Sequence, residues 1–358
     1  MPGQLFIDEQ QIYFTEIKKG RFEKNKFSSY ANFILDFCQR YLNNKPEFQI
    51  TTSGSTGLPK ALRLDRDQMQ ASAHMTGRSL NINKSINALL CINATYIGGI
   101  MMLVRAMEFE WNLTVLDPKA NIYHSSLPNF HFMALVPLQL AEIAANPEAT
   151  NWAQQASMII VGGAPVDLGL EAKIRLWTVP VYLTFGMTET VSHIALRCIT
   201  GSSQSQFYSL LSGVAMKTDD RGCLMLKSKV TKNLWVTTND LVEVKDKEHF
   251  RWLGRADNVI NSGGHKVIPE VVEKEISAVL INQGISNDFF VAGLSDPKLG
   301  QKVTLIIEGE SRDLLKIIQV NLKDKCHPYE IPRSILFIEQ FSRTRNQKIQ
   351  RKSTLREA

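Results

Sequence analysis

Short apolar runs recurring between helical stretches constrain this chain more than any other feature. "ALLCI" at 88–92, "LTVLD" at 113–117, "FMALV" at 132–136, "SMIIVGG" at 157–163 and "VPVYLTFG" at 179–186 alternate with helical patterns such as 137–145 and 166–176. Strand–helix alternation predicts an α/β domain whose strands are buried and largely parallel. Ahead of it, 28–42 and 65–80 read as helices and "EFQI" as a strand. Several of the strands end in Gly, Ser, Thr or Pro, so candidate ligand loops gather at their C-terminal ends, where open α/β sheets bind ligands.

The pattern changes near residue 254. Pro269 opens a helix with Val272, Ile276, Val279 and Leu280 on one face. Strands in "DFFVAGL" and "KVTLIIEG", a helix at 311–325 and a strand in "PRSILFIE" follow. The expected fold class is therefore a large N-terminal α/β domain over 1–254, then a small α+β domain over 255–358. A length of 358 residues accommodates both.

Composition excludes several classes. Hydrophobic residues make up 44%, too many for general disorder. The net charge of +6 suits an anionic ligand but is too diffuse for a nucleic-acid footprint. Five scattered cysteines without a C-x-x-C pair fit a reducing compartment. "ALLCINATYIGGIMMLV" at 88–104 is short for a spanning helix and is broken by Asn93, Thr95 and a glycine pair, so it reads as a buried strand followed by a buried helix. "MPGQLFIDEQ" lacks the regions of a signal peptide. A cytoplasmic chain without membrane insertion is expected.

Six segments carry candidate chemistry. In "TTSGSTGLPKAL", 51–62, residues Thr52, Ser53, Gly54, Ser55, Thr56 and Gly57 offer backbone and hydroxyl donors with little bulk, and Lys60 adds a mobile charge. Such a loop can wrap phosphate oxygens. It is not a Walker A loop, because the glycine spacing differs and Ala61 stands where the hydroxyl would be. Gly162, Gly163, Ala164 and Pro165 form a strand end that a flat ring can approach closely. "LTFGMTET", 183–190, brings Phe185, Gly186, Thr188 and Glu189 to another. "TTND" ends in Asp240, a carboxylate suited to two ribose hydroxyls. "GRADNVINSGG" contains Arg255, Asp257, Gly263 and Gly264, and the basic tail "RTRNQKIQRK" contains Lys348. Each alone has a plain explanation as a turn, a helix cap or solvated surface.

Together, in this order, the motifs resemble the adenylate-forming enzymes, the family of acyl-CoA synthetases and luciferases. Within it, "TFGMTETVSH" and the ending "TRNQKIQRKST" are most similar to the branch that activates 2-succinylbenzoate. The resemblance implies a carboxylic acid, ATP and coenzyme A as substrates, with Mg²⁺ as the metal. It implies that 52–60 hold the β- and γ-phosphates, Thr188 contacts the α-phosphate and Glu189 holds Mg²⁺. Gly162 to Pro165 and Phe185 would sandwich adenine, with Gly186 beside them. Asp240 would accept both ribose hydroxyls, with Arg255 nearby. Lys348 would reach the carboxylate and α-phosphate oxygens. Gly263 and Gly264 would line the pantetheine path, and Asp257 would be the hinge of a mobile C-terminal domain.

The chain also departs from the family pattern. Asn239 stands where glycine is usual, and a left-handed backbone would let it serve there. Phe185 replaces a tyrosine, Gln347 precedes Lys348, and His265 follows the glycine pair. Less chain precedes the 51–62 loop than in most relatives, so an N-terminal subdomain is expected to be absent or reduced, which would either expose the substrate pocket or favour a homodimer that covers it. The acyl pocket is expected around Tyr96 and Gly98, with Ser192, His193 and Arg197 as partners for a second carboxylate. Rival readings are another aryl or acyl acid–CoA ligase, an idle nucleotide-binding module, and a nucleic-acid protein resting on the basic tail. The last lacks interleaved aromatics.

Overall fold

The computed structural model describes residues 3–51, 61–82, 85–310, 313–344 and 349–357. The chain divides into two compact units. One comprises 1–216 with 226–236 and 246–249, and the other 217–225 with 237–245 and 250–358.

The first unit is built on one sheet. Gln4–Ile7, Asn112–Val115, Asn87–Leu90, Phe132–Leu135, Met158–Val161 and Val181–Gly186 lie side by side, parallel throughout. Antiparallel strands flank them: Gln10–Tyr13 on one side, His193–Cys198 and Tyr208–Leu210 on the other. The expected parallel block is present, and these short antiparallel strands were not separately legible. Phe132–Leu135 is buried along its whole length, as its unbroken apolar run requires.

Helices Ile97–Glu108, Pro137–Ala145 and Leu168–Ile174 connect successive parallel strands. The first occupies the apolar run 88–104 together with strand Asn87–Leu90, as read. Local chemistry starts the other helices. The Ser28 hydroxyl accepts from Ala31 N at 3.1 Å ahead of Ser29–Leu42. The Gln68 side chain reaches back to accept from Asp65 N at 3.2 Å ahead of Arg66–Ser79. Strands Glu47–Thr51 and Ala61–Asp65 pair antiparallel with Thr51 opposite Ala61, at the two ends of the 52–60 segment. Leu89, Met133, Ile159, Val181 and Trp152 belong to one continuous core.

In the second unit, Val236–Val244 pairs antiparallel with His249–Arg255. A smaller sheet runs His265–Val267, Ile260–Ser262, Gly300–Glu308 and Phe289–Asp296, with Ser334–Ile338 parallel to Gly300–Glu308. Helix Pro269–Asn282 begins at its proline and buries the expected face of Val272, Ile276, Val279 and Leu280. The helix read at 311–325 is Leu315–Leu322. No helix among the described residues is long and apolar enough to cross a membrane.

Candidate active site

A parallel sheet presents all its strand C-termini on one edge. In the first unit this edge gathers the loop 91–96, the turn Gly162–Pro165 and the turn Gly186–Glu189. Strand Asn87–Leu90 has Asn112–Val115 on one side and Phe132–Leu135 on the other, so the chain winds away from it in both directions. Such a switch point leaves a crevice at the strand ends. Tyr96 and Gly98 lie at the start of the helix that follows. Tyr30 holds this loop, its hydroxyl accepting from Ala94 N at 2.9 Å. Sequence reading missed Tyr30, which lies 64 residues from its partner.

Thr188–Thr190 forms one tight turn, with Thr188 half-buried and Glu189 exposed. Thr190 pins it. Its hydroxyl accepts from Met187 N at 3.0 Å and lies within hydrogen-bond distance of the Met187 and Ser192 carbonyls, at 2.9 and 2.8 Å. Val191 then adopts φ 65° and ψ −48°, and Ser192 N donates to Thr190 O at 2.7 Å. This is a γ-turn, a strained conformation for a β-branched residue. It reverses the chain so that His193 pairs opposite Gly186. A β-carbon at Gly186 would collide with the Ser192 carbonyl, so glycine is required there.

Beside this turn lies a buried cation that sequence reading did not single out. Arg105, on helix Ile97–Glu108, is 1% exposed. Its Nη2 donates to Ser192 Oγ at 3.0 Å and to Thr76 Oγ1 at 3.4 Å, while its Nε has no partner. Among the described residues no carboxylate pairs with it. Burial without a counter-ion pushes its pKa down to about 10. His193 completes the cluster, with Nε2 3.1 Å from Thr76 Oγ1 and Nδ1 3.4 Å from Ser192 Oγ. Burial first, and then the Arg105 charge, hold His193 well below the usual histidine range, so its ring is neutral.

Ser192 and His193 are therefore brought together, but Arg197 is not with them. It forms an ion pair with Glu171, donates to the Ser205 carbonyl at 3.4 Å and lies over the Tyr208 ring. Its charge is engaged by Glu171 in this arrangement. The signal for Arg105 was a single arginine inside the apolar run "GIMMLVRAM". Phe185 packs edge-on against Tyr208 at 5.6 Å between ring centroids.

In the second unit, Asp240 is 9% exposed and Trp252 Nε1 donates to its Oδ1 at 3.0 Å. Arg255, opposite it in register, lies 3.9 Å from Asp240 Oδ1 and 2.7 Å from Asp257 Oδ2. Asn239 sits inside the extended strand, so the left-handed turn anticipated for it does not form. Gly263 and Gly264 have φ 59° and 84° and close the tight hairpin between Ile260–Ser262 and His265–Val267. Two successive positive φ values favour glycine at both places. Thr52, Ser53, Gly54, Ser55, Thr56, Gly57, Lys60 and Lys348 lie outside the described residues.

Among the described residues no three His, Cys, Asp or Glu side chains converge to cage a metal. A single exposed carboxylate such as Glu189 fits Mg²⁺, which is held through one or two carboxylates, substrate phosphates and water.

Residues 16–222 match the model of the AMP-binding enzyme family. The chain belongs to this family, whose members are the adenylate-forming enzymes that its motifs resemble. It is 39% identical to a solved acyl-CoA synthetase (AMP-forming)/AMP-acid ligase II-like protein from Dyadobacter fermentans, covering 96% of this chain and 97% of that one with a TM-score of 0.65. It is also 24% identical over 333 residues to the 2-succinylbenzoate–CoA ligase of Bacillus cereus, covering 85% of this chain and 68% of the relative. The fold is shared with the O-succinylbenzoate coenzyme A synthetase of Bacillus subtilis in complex with ATP and magnesium. That match has 20% identity, a TM-score of 0.68, and coverage of 86% and 69%.

Proposed function

We propose that this chain is an ATP-dependent acid–coenzyme A ligase that adenylates 2-succinylbenzoate and passes the acyl group to coenzyme A. The observation that carries the choice of acid is Arg105. A second carboxylate, left untouched by the reaction, needs a cation if it is to leave water. Arg105 is such a cation, buried, charged and beside the hydroxyls of Ser192 and Thr76, with the neutral ring of His193 completing the cluster. Arg105 replaces Arg197 in this role. The curated relatives' names support the same acid.

The chemistry has two steps. The carboxylate oxygen attacks the α-phosphorus of ATP and pyrophosphate leaves. The thiol of coenzyme A, losing its proton, then attacks the acyl carbon and AMP leaves. Negative charge builds on the phosphoryl oxygens in the first step, so positioned donors and cations do most of the work. Residues 52–60 hold the outer phosphates, Thr188 donates to the α-phosphate, and Lys348 neutralises the carboxylate and α-phosphate oxygens. Glu189 would hold Mg²⁺, which offsets phosphate charge when bound. Asp240, fixed by Trp252, accepts the ribose hydroxyls beside Arg255. Gly162–Pro165 and Phe185 receive adenine, Gly263–Gly264 guide the pantetheine arm, and Asp257 is the pivot between the steps.

The test is a panel of carboxylic acids with ATP and coenzyme A, scored by AMP release and thioester formation. Turnover of 2-succinylbenzoate far above benzoate and fatty acids is expected. Faster turnover of a simple aryl or fatty acid would replace the acid and keep the ligase. Absence of AMP release with every acid would remove the ligase reading.

A further inference from the structure

The tip made by Gly263 and Gly264 has no side chains of its own to hold it, and glycine gives its backbone the widest freedom. It joins two strands of three residues each, Ile260–Ser262 and His265–Val267. The second is outermost in the small sheet, with a neighbouring strand on one side among the described residues. The hairpin meets the rest of the sheet where Ser262 lies opposite Gly300. A two-stranded ribbon this short is marginally stable by itself, so its tip keeps a fixed place through contacts made from outside.

Two such contacts hold its shoulders. On one side Gly263 N donates to Leu299 O at 2.9 Å. On the other, the exposed His265 lays its imidazole flat on the Tyr329 phenol, with ring centroids 4.0 Å apart and planes inclined by 7°. At that separation the two ring faces are in van der Waals contact. Tyr329 is itself well anchored. It is half-buried and packs against the core that contains Val267, Val272 and Leu305. Its turn is closed twice, because the Glu330 carboxylate accepts from His327 N at 2.8 Å and Glu330 N donates to His327 O at 2.9 Å. The His327 ring lies parallel to the same phenol, within 2° at 5.3 Å. Between the two shoulders, no heavy atom among the described residues lies within 4 Å of the place a β-carbon on Gly264 would occupy. The tip is therefore braced at both sides and open at its centre.

Resting on the proposed role of Gly263 and Gly264 in guiding the pantetheine arm, we infer that His265, stacked on Tyr329, is a positioning residue that holds this hairpin for the thioester step. The imidazole acts through its flat face, and its nitrogens take no part. A stacked ring pair shifts an equilibrium about 2- to 10-fold, so that is the share of hairpins out of place once the stack is lost. Neither His265 nor Tyr329 is among the residues assigned to ATP or the acid, so the adenylation step is indifferent to the stack.

The experiment compares His265→Ala, His265→Phe, Tyr329→Leu, the double variant His265→Ala/Tyr329→Leu, and Gly264→Asn in each half-reaction. Adenylation is read by acid-dependent pyrophosphate release, and the second step by thioester formation from supplied acyl-adenylate at varied coenzyme A. His265→Ala is expected to lower kcat/KM for coenzyme A about 2- to 10-fold with adenylation unchanged. His265→Phe, which keeps a ring and removes both nitrogens, should restore most of the loss. Tyr329→Leu should match His265→Ala, and the double variant should add little, because partners in one contact are non-additive. Gly264→Asn tolerates the positive φ and puts a side chain into the open centre, so it should also impair the thioester step. Failure of His265→Phe to rescue, or an equal loss of adenylation in His265→Ala, would overturn the inference. Full coenzyme A kinetics in His265→Ala while Gly264→Asn is impaired would overturn it and leave the pantetheine path standing. Full coenzyme A kinetics in Gly264→Asn would take the hairpin off that path, and the positioning role with it.

Discussion

Replacing Arg105 with methionine should leave the free enzyme's stability nearly unchanged and abolish its selectivity. Without substrate, the guanidinium is 1% exposed and makes two hydrogen bonds to hydroxyls, with Nε unpartnered. Such a charge carries a desolvation cost of several kcal/mol. A methionine of similar length removes that cost and forfeits two hydrogen bonds of about 1.5–3 kcal/mol each. The cost removed and the bonds forfeited are of similar size, so the free enzyme should stay about as stable, within about 3 kcal/mol. With a dicarboxylic acid bound, the loss is one-sided. Two charges about 4 Å apart at an effective dielectric of ~20 attract by about 4 kcal/mol, so kcat/KM for 2-succinylbenzoate should fall roughly 10³-fold. Benzoate, with no second carboxylate, should be turned over as before. Urea unfolding and kcat/KM for the two acids check both halves. A loss of stability beyond about 3 kcal/mol would mean that Arg105 acts as one member of a broken buried ion pair. Equal losses for both acids would mean that it does not read the second carboxylate.

His193 gives a pH prediction. Its folded pKa is depressed, so below the ordinary value of 6.5 the unfolded chain binds a proton that the fold does not. Stability must then fall with acidity, by about 1.4 kcal/mol from one unit above that value to one unit below. Unfolding of His193→Asn at both pH values should show a slope smaller by that amount, and an unchanged slope refutes the neutral, buried ring. Glu189→Gln keeps the shape of the turn and removes its charge, so adenylation should drop about 10²-fold or more; unchanged turnover at saturating Mg²⁺ would take Glu189 out of the site. Asp257→Pro restricts the pivot and disfavours the helical backbone of Ala256 before it. It should spare one half-reaction and block the other, and equal rates in both would place the pivot elsewhere.

The sequence by itself determined what depends on neighbours along the chain. The parallel strands were legible because buried strands must be continuously apolar, and the start of helix Pro269–Asn282 because a proline suits a first turn. The edge loops at Gly162–Pro165 and Gly186–Glu189 were legible because short, small and hydroxyl-rich residues punctuate strand ends. Tertiary structure decided which charges are already satisfied. Arg105 and Arg197 are the same residue type, and nothing within a few positions of either distinguishes a free charge from a paired one. Arg197 is neutralised by Glu171, 26 residues away, whereas Arg105 meets Ser192 across 87 residues and, among the described residues, donates to hydroxyls and pairs with no carboxylate. Asn239 shows the same limit in the backbone, because strand pairing set its conformation and not its tolerance for a left-handed turn. Local pattern encodes which segments pair and bury. The partner of a buried charge is chosen by the packing of distant segments, and that partner determines whether an arginine supports the fold or awaits a ligand.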